Sequence, residues 1–121
     1  MLKLDDVTYF RRTVAVQQPR GDKPNQTEAQ HFTAKFRILD MEDLEELTRK
    51  NRAEDESDLS RIRECLDKVL EGVEGVGDAK GEAFEADKAL ELVKRVSHVA
   101  IAAHQEYWKG VNEMGGIKRK N

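Results

Sequence analysis

Two runs of alternating apolar and polar residues near the start of the chain constrain its fold more than any other feature. Residues 10–18 and residues 30–39 both place apolar side chains at every second position, with Arg12 as an exception. This period of two is typical of half-buried strands. The loop between the runs contains both prolines, Pro19 and Pro24, which block continuation of a strand. The runs therefore predict an antiparallel hairpin, whose predicted inward positions are Phe10, Val14, Val16, Phe32, Ala34, Phe36 and Ile38.

The remainder of the chain has the periodicity of helices. Four helices are predicted: over residues 41–51, from a Ser57 cap to a Gly72 stop, over residues 86–96, and from a Ser97 cap to about Met114. Asp40 is the predicted cap of the first helix, and a glycine-rich turn with its tip at residues 78–81 separates the second helix from the third. The predicted fold is α+β, with an N-terminal antiparallel β-hairpin or small sheet followed by about four helices. The 121 residues suit a single domain over residues 1–114, followed by a flexible basic tail over residues 115–121.

The last predicted helix has an apolar arc that covers more than half of its circumference. A surface helix needs an arc of only about 100°. This helix is therefore either central in the fold or covered on a second side by a partner, and a hairpin also needs cover from helices or from another copy of the chain. Tyr107 and Trp108 are either core residues or interface anchors. The predicted partner-binding residues of this helix are Val99, Ile101, His104, Tyr107 and Trp108.

A run of acidic residues accompanies the first predicted helix. Between Asp40 and Asp58 nine residues are acidic and three are basic. The run is either a solvated helix face with an exposed linker or an electrostatic docking edge for a basic partner. Glu42, Glu45 and Glu46 are the residues predicted to form such an edge.

The sequence contains no recognised catalytic, metal or cofactor motif. The single cysteine, Cys65, cannot form an internal disulfide and is predicted to pack at the edge of the core. The glycine spacing fits neither a dinucleotide fingerprint nor a P-loop, because Lys80 is followed by Gly81 and not by Ser or Thr. The histidines lack metal-ligand spacing, and His104 is expected to be a core residue with one hydrogen bond. The net charge of −3 and the lack of a long apolar run predict no nucleic acid, no membrane and a cytoplasmic location.

Five consecutive segments together resemble the tail assembly chaperone family of long-tailed bacteriophages and prophages. They are the strand end KFRIL, the acidic helix DMEDLEEL, the helix and turn VLEGVEGVGDAKGEAF, the helix ADKALELV and the alanine-rich helix HVAIAAHQEYW. The resemblance extends from about Phe10 to Trp108 and consists of turn and packing residues, not of catalytic signatures. The family commonly has a tryptophan just after the second long helix, where this chain has Val73.

The resemblance implies a non-catalytic assembly chaperone. Proteins of this family coat the tape measure protein, help to recruit tail tube subunits and self-associate, and many also exist in a frameshift-extended form. They act in the cytoplasm of the host bacterium and are absent from the mature virion. Two alternatives remain at this point: a generic helical adaptor or small phage structural protein, and an enzyme or ligand-binding domain built around the glycine turn.

Overall fold

A computed structural model describes residues 1–4, 7–51 and 58–114. Its elements are β1 (Tyr9–Pro19), β2 (Thr27–Arg37), α1 (Met41–Asn51), α2 (Asp58–Val69), β3 (Leu70–Glu74), α3 (Ala86–Arg95) and α4 (Ser97–Glu113). The strands form one antiparallel sheet in the order β1-β2-β3. The predicted α+β class, with an antiparallel sheet that begins at the N-terminal side and four helices, is confirmed. The Ser57 cap and the tail over residues 115–121 lie outside the described residues, and the single domain stays a prediction.

β1 and β2 form the predicted hairpin. Their register runs without interruption from the Tyr9–Arg37 pair to the Pro19–Thr27 pair. The buried inward residues are Val14, Val16, Phe32, Ala34 and Phe36, with Phe10 half-buried beside them. Ile38 does not continue this face as predicted, because β2 ends at Arg37 and the Ile38 side chain is 38% exposed.

The segment Leu70–Glu74 is a strand, not the end of a helix. The prediction that α2 continues to a glycine stop at Gly72 is therefore wrong, since α2 ends at Val69 and β3 follows at once. β3 pairs with residues 33–36 of β2, and this pairing buries Leu70 against the sheet. Burial of Leu70 together with the new ladder of hydrogen bonds outweighs one further helical turn. The strand ends where Gly75 adopts a left-handed φ of 81°.

α4 is the central helix of the fold. It packs against β1, α2 and α3, so the first of the two explanations for its wide apolar arc is confirmed. The predicted Ser97 cap is wrong, because Ser97 is already the first helical residue and Val96 is the cap without a side-chain hydrogen bond. Only Val96 separates α3 from α4, and its carbonyl accepts from the Ala100 amide at 2.9 Å. The junction is too short to hold a separate capping residue.

Arg12, the exception in the first alternating run, points inward and binds α4. Its Nε and Nη2 donate to the same carboxylate oxygen of Glu106, at 2.8 Å and 2.6 Å, and its Nη1 donates to Glu113. The hydrogen bonds from Arg12 lower the pKa of Glu113, and those to Glu113 and Glu106 raise the pKa of Arg12. The inward arginine is thus paired with two acids of the helix that covers its strand.

Gly110 allows α4 to approach β1 closely. A Cβ atom at this position would lie 2.5 Å from Cε2 of Phe10 and 3.4 Å from Cδ of Arg12. The Phe10 ring cannot yield freely, because it packs against Phe36 and Tyr107 at centroid distances of 5.4 Å and 6.1 Å. Gly110 is therefore a close-packing glycine between helix and sheet.

Replacement of Gly110 by alanine is expected to destabilise the protein. Alanine gains about 1 kcal/mol of helix propensity, but overpacking against Phe10 costs about 1–3 kcal/mol, so we expect a net loss of about 1 kcal/mol. Gly72→Ala is the control, because a Cβ atom there has no neighbour within 4 Å. Urea unfolding of the two variants checks the expectation, and a Gly110→Ala protein as stable as Gly72→Ala would contradict it.

Candidate functional site

The structure distributes the predicted residues of α4 over different sides of the helix. Tyr107 is fully buried, its pKa is raised by burial, and its hydroxyl has no hydrogen-bond partner within the described part of the chain. Of the two alternatives for Tyr107, the structure therefore supports the core residue. With 3.6 residues per turn, Ile101 and Trp108 lie on one flank of α4, and Val99 lies on the opposite flank.

Ile101, His104 and Trp108 form a half-buried stripe at the spacing i, i+3 and i+7. The indole Nε1–H of Trp108 donates to Nε2 of His104 at 3.1 Å. Burial lowers the pKa of His104, so its imidazole is neutral near pH 7 and can accept this bond. The expectation of a histidine held by one hydrogen bond is met. We call these three residues the α4 stripe.

The acidic helix α1 lies beside the end of the α4 stripe that contains Trp108. Leu47 of α1 is buried, and it lines a small space together with Cys65 of α2 and Trp108. Lys50 ties α1 to α2, because its Nζ lies 2.5 Å from a carboxylate oxygen of Glu64. The apolar side of α1 is therefore fixed against α2 and α4.

The predicted acidic edge is open to solvent over most of its length. Glu42 and Glu45 are exposed, whereas Glu46 is half-buried and lies 3.8 Å from Lys50. The carboxylate of Asp40 accepts the Asp43 amide at 2.9 Å, which confirms the predicted cap of α1. The structure thus brings Trp108 and the acidic helix together, and no ion pair within the described residues involves Glu42 or Glu45.

Cys65 has no nucleophilic chemistry in this setting. Its side chain is buried, and burial raises the pKa of the thiol to about 12. A thiol with this pKa is almost wholly protonated at neutral pH, and only the thiolate attacks or binds metal. Cys65 serves as a small core residue, as the sequence predicted.

The glycine-rich segment is the turn that its composition predicts. The Asp78 carboxylate accepts the backbone amides of Lys80 and Glu82 at 2.9 Å and 3.0 Å, and the Gly81 amide donates to the Asp78 carbonyl. A Cβ atom on Gly77 would lie 2.6 Å from the Glu82 carbonyl oxygen. The amides at the tip are satisfied within the turn, so they do not form a cradle for phosphate.

A groove that the sequence did not indicate lies between the hairpin end and the glycine turn. β3 pairs with only residues 33–36 of β2, so the edge of β2 over residues 27–31 has no strand beside it within the described residues. An outer cavity of about 710 Å³ and an inner one of about 110 Å³ lie there and share Gln18, Gln30, Gly75, Val76 and Gly77 in their walls. The floor of the inner cavity is apolar and includes Val16, Phe32, Val93 and Val99. We call this feature the β2-edge groove; it exists because β2 has eleven residues and β3 has only five.

Comparisons with known proteins add no further information about function. No protein-family model, no characterised protein and no solved structure matches this chain. Over residues 1–4, 7–51 and 58–114, no group of three or more histidine, cysteine, aspartate and glutamate side chains could hold a metal ion. Within those same ranges, no helix is both long and apolar enough to cross a membrane.

The contact between α1 and α2 is expected to be visible in the titration of Glu64. The hydrogen bond from Lys50 lowers the pKa of Glu64 below its usual value. Lys50→Met should raise that pKa toward about 4.3, the value of an unperturbed glutamate. Lys68→Met is the control with a smaller expected change, because Lys68 acts on Glu64 only through space.

The sign of the linked stability follows from the lowered pKa. The Lys50–Glu64 contact stabilises the fold above the unfolded pKa of Glu64 and is lost as the pH falls through the lower, folded pKa. Carboxyl-carbon NMR titration of the wild type and both variants measures the shift. An unchanged Glu64 pKa in Lys50→Met would show that α1 does not dock on α2 in this way in solution.

Proposed function

We propose that this protein is a non-catalytic phage tail assembly chaperone that binds a long helical partner, the tape measure protein, and helps to recruit tail tube subunits. The observation that carries the proposal is the α4 stripe of Ile101, His104 and Trp108, a half-buried apolar and aromatic row that an acidic helix borders at one end. The resemblance of the sequence to the chaperone family supplies the identity of the partner. Under this proposal the protein acts in the host cytoplasm and leaves before the virion matures.

The spacing of the α4 stripe suits a helical partner. Side chains at i, i+3 and i+7 form a row along one side of a helix, and a second amphipathic helix can lay its own apolar row against them. Trp108 supplies a large, rigid contact area, and tryptophan is enriched among the residues that dominate binding energy. His104 holds the indole ring in place through its hydrogen bond, so little side-chain freedom remains to be lost on binding.

The acidic edge of α1 adds negative charge at one end of the same surface, so the two ends of the surface differ in charge. Glu42 and Glu45 are exposed on α1, the helix whose Leu47 lines the same small space as Trp108. Exposed charges of this kind accelerate encounter with a partner of opposite charge and discriminate against other orientations. A tape measure helix with an apolar row flanked by lysine or arginine fits both features. A binding surface of modest size also suits a chaperone that tube subunits must later displace, because small interfaces form weak and reversible complexes.

Ile101→Glu is expected to weaken binding of the tape measure protein at least about tenfold. The new carboxylate lies at the end of the apolar stripe opposite Trp108, yet it can reach water because Ile101 is half-buried in the free protein. Lys109→Gln is the matched control, since it changes the net charge by the same single unit at an exposed position of α4. Co-expression with the tape measure protein of the same genome, followed by pull-down and titration, measures the effect. Equal binding by both variants would remove the α4 stripe from the interface.

The acidic edge is tested by Glu42→Lys combined with Glu45→Lys, leaving Glu46 and its contact with Lys50 intact. We expect an association rate about three- to tenfold lower and a weaker dependence of that rate on salt. The control is Glu71→Lys combined with Glu74→Lys, which makes the same change in charge at two exposed positions of β3. Stopped-flow mixing with the tape measure protein at two ionic strengths gives both quantities. If the two double variants associate at the same rate, the acidic edge has no specific role.

A further inference from the structure

The shape of the β2-edge groove selects one kind of occupant. The free edge of β2 over residues 27–31 offers backbone donors and acceptors to a short extended segment, as β3 does further along the same strand. The apolar floor lies beneath this edge and takes side chains from one side of such a segment. The outer cavity of about 710 Å³ is open to solvent and has room for a segment of a few residues. The groove therefore fits a strand of a few residues with alternate apolar side chains.

The chain itself carries a segment of this description. Met1, Leu2 and Leu4 are among its most exposed large apolar residues, at 108%, 83% and 75% exposure. The segment that contains them is neither helical nor paired with a strand. In an extended conformation Leu2 and Leu4 point to one side, and Lys3 points to the other. Two leucines can then enter the apolar floor while the ammonium group of Lys3 stays in water.

The segment cannot place both of its leucines in the groove of its own copy. Leu4 precedes Tyr9 by five residues, so it lies at most about 18 Å from the start of β1. The free edge of β2 begins at His31, level with Ala15, which is six residues or about 20 Å along the strand from Tyr9. It also lies on the far side of β2, about 10 Å across the sheet from β1. The distance of about 22 Å exceeds the reach of Leu4.

We propose that the β2-edge groove binds the Met1–Leu4 segment of a second copy of this chain, which adds as a short strand to β2. The donating segment and the accepting groove lie at opposite ends of β1, so the contact is head to tail. A contact of this kind leaves one free segment and one free groove in every pair, and further copies can add. The inference deepens the proposed function, because it names the surfaces through which copies of a chaperone would meet, but its evidence comes from the groove and the segment alone.

The test uses the full chain and needs no other protein. Sedimentation velocity up to about 1 mM is expected to show association of the wild type. Leu2→Ser combined with Leu4→Ser should raise the dissociation constant at least about tenfold, because two apolar contacts are lost. Met41→Ser is the matched control, since Met41 is 88% exposed on α1 and its loss removes a similar apolar side chain elsewhere. It should associate as the wild type does.

A second variant blocks the groove. Gln30 is exposed and lines both cavities, and tryptophan is well tolerated in strands, so Gln30→Trp should fill the groove in a folded protein. Alone it should fail to associate. Mixed with the Leu2→Ser, Leu4→Ser protein it should form one-to-one complexes and nothing larger, because each mixture contains one intact segment and one intact groove per pair.

Three outcomes would overturn the inference: a monomeric wild type, a Leu2→Ser, Leu4→Ser protein that associates as the wild type does, or a Gln30→Trp protein that does so. A monomeric protein that still binds the tape measure protein would reject the groove contact and leave the proposed function standing. Association through the groove without binding of a tape measure protein would support the groove contact and reject the proposed function.

Discussion

The contact between β1 and α4 is the interaction on which the rest of the structure depends. The sheet has one inward face, and α4 is the helix that covers its β1 side while also packing against α2 and α3. Gly110 sets the distance of this contact, and Arg12 sets its lateral position through Glu106 and Glu113. The aromatic rings of Phe10, Phe36 and Tyr107 then close the space between the two layers. A displacement of α4 would disturb β1, α2 and α3 together.

The sequence pattern correctly predicted those helices and strands that are determined by residues close to each other in the chain. The alternating runs predicted the hairpin and its inward face, and Asp40 predicted the start of α1, because a strand face and a cap depend on residues near each other in sequence. β3 was missed for the opposite reason. Its residues Leu70 and Val73 continue the apolar row of α2, and only the edge of β2, more than thirty residues earlier, turns them into a strand.

The same limit applies to the candidate site. The periodicity of α4 predicted a wide apolar arc, but it could not tell which part of the arc the sheet would cover. The structure assigns Tyr107 to the core, leaves Ile101 and Trp108 half-buried on one flank and puts Val99 at the groove on the other. Arg12 was an anomaly in the sequence because its partners Glu106 and Glu113 lie 94 and 101 residues away. Long-range pairing decided every one of these positions.

Two surfaces on opposite flanks of one rigid helix can be occupied at the same time. Occupation of the α4 stripe leaves the β2-edge groove open, because the core residues Ala103 and Tyr107 and the sheet lie between them. A protein built in this way can bind along a rod-like partner and contact its own neighbour without competition between the two contacts. The close packing of α4 against the sheet fixes the position of these two surfaces relative to each other.

The hydrogen bond between Trp108 and His104 gives this protein an internal optical reporter. Trp108 is the only tryptophan of the chain, so all indole emission originates from one place, where α4 meets α1. Its neighbours are the His104 ring at 6.3 Å and the Tyr107 ring at 5.3 Å. Two different events change the surroundings of the indole. Protonation of His104 breaks the indole bond, whereas departure of α1 admits water to the ring. Fluorescence therefore follows the place where Trp108 meets α1, while far-ultraviolet circular dichroism follows the helices of the whole chain, and the two signals together distinguish loosening of α1 from global unfolding.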